Sequence, residues 1–150
     1  MAGELGSPDG RRSRQQGVIL LDTHVIVWMV DNNRRLGAEA IALIETAPAI
    51  FFSAITAWEL SMLVRKSRLI LTKPPRALLQ TVQGFANVRE VALDSDIAHD
   101  AGEMDWAHRD PADRLIVATA RALDCPLLTA DEAILAHAAA GHLKAIDARV

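Results

Sequence analysis

The sequence predicts an α/β domain whose sheet is mostly parallel and covered on both faces, and three observations carry that reading. Short apolar strand-like runs alternate with segments of helical periodicity. Each run is short enough to be a strand buried on both sides. Prolines, glycines and capping residues fall at the joints between the two kinds of segment. Val18–Leu21 is the first such run, followed by a short helix over His24–Val30 and a second over Gly37–Thr46, where Ala40, Ile41 and Ile44 share one stripe. Pro48 breaks the chain ahead of Ala49–Ser53, the second strand, and Ala54–Lys66 is a helix. Pro74 and Pro75 open another helix that runs to about Gly84, because proline suits a first helical turn. Asn87–Leu93 is the third strand, and Asp94 or Ser95 caps a helix ending near Gly102. Asp110–Leu123 is a strong helix, Pro126–Thr129 a short strand, Asp131–Ala140 a helix and Leu143–Ile146 a last edge strand. The expectation is a three-layer α/β/α domain with a sheet of four to five strands.

The first 17 residues have no hydrophobic period and are rich in Gly, Ser, Pro and Arg, so they read as a tail or expression remnant, leaving 18–150 as one domain. At 150 residues with 51% hydrophobic and 23% charged side chains, the chain can bury a core without staples. The single Cys125 allows no internal disulfide and no thiolate metal cage, which fits a reducing, cytoplasmic setting and rules out zinc ribbons. Val18–Val30, the longest mostly apolar stretch, is interrupted by Asp22, Thr23 and His24 and cannot span a bilayer. With no Tyr and only six Phe and Trp together, an aromatic stacking platform for single strands is missing.

The net charge of −3 attracts no polyanion, but its distribution is uneven. Between Leu60 and Arg89 there is no acid, while Arg65, Lys66, Arg68, Lys73 and Arg76 follow one another; from Asp94 to Asp131 nine acids face three arginines. Two surfaces are implied, one basic and one acidic, unless both are simply solvated faces.

Five acids stand out by position. Asp22 follows the first strand and Asp131 the fourth, where each is as well explained as an N-cap as by chemistry. Asp110 and Asp113 sit in DPAD at a helix start, which is good capping chemistry and makes Asp110 mainly structural. Glu59 resists such an explanation, because Ile55, Met62 and Leu63 place it on the apolar stripe of its helix. A carboxylate there needs an arginine or a metal. In an open parallel sheet the residues just past the strand ends gather at one rim, so Asp22, Asp113 and Asp131 can meet there with Glu59 facing them. Clustered carboxylates repel unless protons or cations intervene, and an oxygen-only set selects Mg²⁺ or Mn²⁺. Such an ion can bind a phosphate oxygen and activate water, as phosphodiester hydrolysis requires. The five histidines show no zinc-protease spacing and read as surface or core-edge residues; there is no GxSxG elbow, GxGxxG or P-loop, and Cys125 reads as a small buried hydrophobe.

Taken together, LLDTHVIVW (20–28), SAITAWELSMLVRKSRL (53–69), HRDPADRLIVATA (108–120) and LLTAD (127–131) resemble the PIN-domain ribonucleases, and more narrowly the VapC toxins of type II toxin–antitoxin modules. The resemblance runs from Val18 to about Ile146. It implies that Asp22, Glu59 and Asp113 are core metal-binding and catalytic acids and Asp131 a more variable fourth, with Thr23 and Thr129 supporting them and Asp110 adding charge or capping its helix. It also implies an Mg²⁺- or Mn²⁺-dependent endoribonuclease that forms a homodimer and is held inactive by a VapB antitoxin bringing a basic side chain to the acids. Ala112 departs from the bulky aromatic that many relatives carry in DPxDR, which touches local packing and not the acids. A PIN-like binding or scaffold module without turnover is the alternative. The RNA itself is expected on Arg65, Lys66, Arg68, Lys73 and Arg76, tethered within a few helical turns of Glu59; a solvated face, a dimer contact or an antitoxin contact is the plainer account of those residues.

Overall fold

The computed structural model describes residues 17–150, so the reading of residues 1–17 as a tail lies, but for Gly17, outside the described residues. The elements in chain order are β1 (Ile19–Leu21), α1 (Thr23–Asp31), α2 (Ala38–Thr46), β2 (Ile50–Ser53), α3 (Ile55–Arg65), α4 (Pro75–Gln83), β3 (Val88–Val91), α5 (Ser95–Glu103), α6 (Pro111–Leu123), β4 (Leu127–Thr129), α7 (Glu132–Ala139) and β5 (Ala145–Asp147). All five strands are parallel, in the order β3-β2-β1-β4-β5.

The pleat sorts the core into two layers. Ile19 and Leu21 point to one face, where they pack with Val25, Ile26, Phe52, Leu60, Leu78 and Leu128 from the side of α1 to α4. Leu20 and Leu127 point to the other, against Ile97, Ile116, Val117 and Ile134 of α5, α6 and α7. Central strands therefore carry apolar side chains on both faces, and β1 and β4 are fully buried, with Thr129 at the carboxyl end of β4 the polar residue between them. The edge strand β3 exposes Arg89 and Glu90, charges that discourage pairing with another chain.

Chain direction determines where a site can form. From β1 the chain winds outward through β2 to β3, then returns to place β4 on the other side of β1 and β5 beyond it. The strand order reverses at the β1–β4 junction, and the crevice above that junction is where an open parallel sheet binds ligands. Asp22 ends β1 there, and its backbone N–H still donates to Leu128 O of β4 at 3.0 Å.

Helix ends follow the capping rules. Asp22, Asp94, Asp110 and Asp131 are the side-chain N-caps of α1, α5, α6 and α7, and Pro111 occupies the first turn of α6. Gly37 opens α2 for a different reason. Its N–H donates to Ala148 O at 2.9 Å, and Val150 O accepts from Glu39 N and Ala40 N at 3.0 and 3.2 Å. A Cβ at residue 37 would overlap the Val150 backbone. Gly37→Ala is therefore expected to cost about 1–3 kcal/mol and to raise amide exchange in residues 147–150, measured by chemical denaturation and hydrogen exchange.

Candidate metal centre

Asp22 is buried and both of its oxygens are occupied. Oδ1 accepts from Thr23 N at 2.8 Å, and Oδ2 accepts from the Thr129 hydroxyl at 2.7 Å. Thr129 also receives the Asp131 N–H at 3.0 Å, so a relay of two hydrogen bonds ties the ends of β1 and β4 together. Burial pushes the Asp22 carboxyl above its ordinary value, while these hydrogen bonds work against the rise. The Thr23 hydroxyl lies 3.1 Å from that of Thr56, which fastens α1 to α3.

Glu59 lies on the inner side of α3 with 6% of its surface exposed. Its Oε1 is buried with no hydrogen-bond partner. None of the ion pairs among the described residues includes Glu59, so the arginine bridge left open by the sequence is not formed. Burial raises its carboxyl to about 7; the Thr23 hydroxyl opposes this, and the charges of Asp22, Asp110 and Asp131 add to it.

Asp113 occupies the first turn of α6 and is also buried. Burial again dominates and raises it to about 7, against the pull of His108, whose Nε2 stands 2.7 Å from Asp113 Oδ2. Asp110 and Asp131 are caps, with Oδ1 atoms accepting from Ala112 N and Ile134 N at 3.0 Å each. Capping and clustering turn out not to be alternatives. Ligand-capable atoms of Glu59, Asp110 and Asp113 lie within 4.8 Å of one another, as do those of His108, Asp113 and Asp131. A cleft of about 420 Å³ takes in Asp22, Glu59, Asp110, Asp113 and Asp131, together with His24, Trp28 and Arg149.

Two contributors escape the sequence patterns. His108, expected at the surface or core edge, is held beside Asp113, and Trp106 lies over it with ring centroids 4.7 Å apart. Its loop is shaped by Arg114, which donates to Ala101 O, Met104 O, Trp106 O and His108 O at 2.6–3.0 Å. His137, read as a surface or core-edge residue, is buried between Trp106 and His142. Arg149 reaches the cleft from beyond β5, where it is paired with Asp147 and Glu132 at 2.8 Å each. No sequence signal pointed to it.

The basic residues occupy other ground. Arg65 ends α3, six residues and about 9 Å along the helix from Glu59. Arg65 and Lys66 border a hollow with Trp58 and Met62, while Arg76 borders a second with Gln83 and Glu90. Lys73 donates to the Thr81 hydroxyl at 3.0 Å, and Arg68 is exposed in the loop after α3. None of the five lines the acidic cleft.

The family model of the PIN domain matches residues 19–141, the whole of the sheet but β5 and all seven helices. The chain belongs to the PIN-domain family. A relative, Ribonuclease VapC22 of Mycobacterium tuberculosis, is 35% identical over 120 residues, covering 79% of this chain and 91% of the relative. Among solved structures, VapBC2 of Rickettsia felis bound to a promoter DNA fragment superposes with a TM-score of 0.62 at 18% identity, covering 86% of this chain and 97% of that one. FitAcB of Neisseria gonorrhoeae gives 0.59 at 24% identity over 86% and 96%, and VapBC-5 of Mycobacterium tuberculosis 0.58 at 21% over 89% and 99%. These likenesses show the same PIN fold. The acids of this PIN domain come from the ends of β1 and β4, from the middle of α3 and from the start of α6, and they meet at the point where the strand order reverses.

Proposed function

We propose that this PIN domain is a divalent-metal-dependent endoribonuclease toxin restrained by a VapB-type antitoxin. The observation that carries the reading is the buried Glu59 oxygen without a partner, beside Asp113 in a cluster of five carboxylates. A buried charge without compensation is costly, and hard oxygen donors at this density suit Mg²⁺ or Mn²⁺. The 35% identity to a protein described as a ribonuclease, over most of both chains, supports the same chemistry here.

Asp22, Glu59 and Asp113 would hold the ion, with Asp131 and Asp110 completing the negative field. Such an ion, when bound, supplies charge neutralisation at a phosphate oxygen and lowers the pKa of water. The chain does the rest. Thr129 and Thr23 N–H keep Asp22 oriented and ionisable despite its burial. The helix caps at Asp110 and Asp131 fix two more carboxylates on rigid elements at the cleft. Leu63, Trp28 and Ala130 form apolar wall, which strengthens every charge interaction inside.

RNA must still be drawn toward an acidic cleft, and Arg65, Lys66, Arg68, Lys73 and Arg76 supply the nearest run of positive charge in sequence to Glu59. Contacts to phosphates release counterions, so affinity falls with salt by about 0.7 log units per phosphate for single strands. Replacing Arg65, Arg68 and Lys73 by Gln is expected to flatten that dependence by about two and to leave the cleavage position unchanged. An unchanged slope with lost dimerisation or antitoxin binding would reassign the patch to a protein interface.

Solved relatives crystallised as VapBC and FitAcB assemblies support a small antitoxin as partner. An Arg or Lys from it would compete for the carboxylates that hold the ion. We also read the toxin as a cytoplasmic homodimer; among the described residues no helix is long and apolar enough to cross a membrane. Expression of the chain alone should arrest growth, co-expression of the antitoxin should relieve the arrest, and sequencing RNA ends after incubation of purified protein with cellular RNA should reveal its cut sites. Harmless expression of the intact chain would contradict the reading.

A further inference from the structure

His108 stands where no oxygen-only account of the metal centre needs it. Its Nε2 is 2.7 Å from Asp113 Oδ2, and it lies within 4.8 Å of donor atoms of both Asp113 and Asp131. Neighbouring ligands of an octahedral ion, each about 2.1 Å from the centre, are separated by about 3 Å. In the metal-free chain His108 and Asp113 share a hydrogen bond at 2.7 Å, and an ion replacing its proton would need the two donors to move apart by only a few tenths of an ångström. Asp113 is common to this trio and to the Glu59–Asp110–Asp113 trio. Glu59, 6% exposed and with Oε1 unpartnered, brings an unmet demand for a cation to the same carboxylates.

The imidazole is also prepared in advance. Arg114, the residue after Asp113, pins four backbone carbonyls of the segment from α5 to His108, including that of His108 itself. Trp106 lies against the ring and is itself stacked on the buried His137, 4.4 Å away. A solvated surface histidine has no such support, whereas ligands of a metal are held by rigid surroundings.

We propose that His108, with Asp113 and Asp131, forms a nitrogen-bearing divalent-cation subsite beside the oxygen-only group of Glu59, Asp110 and Asp113. This rests on the metallonuclease reading and deepens it. An imidazole donor shifts preference away from Mg²⁺ and toward borderline ions such as Mn²⁺, Co²⁺ and Zn²⁺. The ring would coordinate through Nε2 once the proton it shares with Asp113 Oδ2 has been released to solvent on ion binding, its remaining proton standing on Nδ1.

The test is pulsed electron paramagnetic resonance of Mn²⁺ added to the purified full chain. The expected result is electron spin echo modulation from directly bound ¹⁴N, replaced by the ¹⁵N pattern in protein grown with ¹⁵N-histidine. It should vanish in His108→Gln, whose amide can still donate to Asp113, and survive in His24→Gln, the other histidine at the cleft. Calorimetry with Mn²⁺ and Mg²⁺ should show the preference for Mn²⁺ narrowed about tenfold in His108→Gln. Mn²⁺ binding without histidine nitrogen modulation in the wild-type protein overturns the subsite and leaves the carboxylate centre standing. Modulation that persists in His108→Gln and disappears in His24→Gln overturns it in favour of His24. Absence of any Mn²⁺ binding overturns both the subsite and the metallonuclease reading beneath it.

Discussion

Asp22→Asn, Glu59→Gln and Asp113→Asn are each expected to lower metal-dependent RNA cleavage by about 10²–10³-fold or more. The three side chains are buried and face one cleft, and its one arginine, Arg149, is paired with Asp147 and Glu132 and not with them, so on the proposed function removing one charge weakens the hold on an ion that the other two would share. Their effects on folding should differ. Glu59→Gln relieves repulsion and loses no ion pair. Asp22→Asn gains less, because both Asp22 oxygens accept hydrogen bonds and an amide offers only one acceptor. Asp131→Asn should be milder in cleavage, since it keeps an acceptor for the α7 cap. Cleavage of labelled RNA at saturating Mn²⁺, with circular dichroism to verify folding, checks the series. Near wild-type activity in any of the first three would remove that residue from the centre.

The second large effect concerns stability of the metal-free protein. Burial raises Glu59 from 4.5 to about 7 and Asp113 from 3.8 to about 7. Both are raised relative to the unfolded chain, so the folded state binds protons more tightly. Their contribution to stability is present below the unfolded values and is lost as pH climbs through about 7. At pH 8 the metal-free wild type carries the full cost of two buried charges, of order a few kcal/mol. Glu59→Gln should therefore melt close to wild type at pH 5 and about 5–10 °C above it at pH 8. Mn²⁺ at pH 8 should raise the wild-type melting temperature and leave the variant almost unchanged, because binding to the folded state stabilises only where the site exists. Comparing wild type with the variant cancels the opposite trend from buried His137, which is held below its ordinary value chiefly by burial and resists protonation as pH falls. Equal melting temperatures at both pH values would show that Glu59 is not a buried charge.

The fold was legible because its central strands are apolar on both faces until their carboxyl ends. LLD and LLT announce β1 and β4 together with the residues that follow them, and DPAD announces α6 with its cap. Boundaries moved by only a residue or two, as where β3 spans Val88–Val91 in place of Asn87–Leu93. Glu59 was legible as a misfit on an apolar stripe, which is a signal of energy and not of periodicity. Asp22, Asp110 and Asp131 were ambiguous between capping and chemistry because the same local geometry serves both: a cap at the carboxyl end of a strand, or opposite it, already faces the crevice. His108 and Arg149 were not legible. The first is positioned by long-range donation from Arg114 to four carbonyls, and the second lies beyond an edge strand whose chain end is seated against Gly37. Contacts of that kind leave no repeat in the sequence. Nor could the sequence alone separate the basic run from the cleft, since its five charges are spread over the end of α3, the loop after it and α4, and their order says nothing about which way each side chain points.

Whether these carboxylates act through a divalent ion is tested most directly by following RNA cleavage as EDTA and then excess Mn²⁺ are added to purified wild type and to Glu59→Gln. Cleavage should stop with EDTA and return with Mn²⁺ in the wild type, and Glu59→Gln should stay inactive throughout. Cleavage that persists in EDTA, or that is undiminished in Glu59→Gln, would contradict a metal-dependent carboxylate centre.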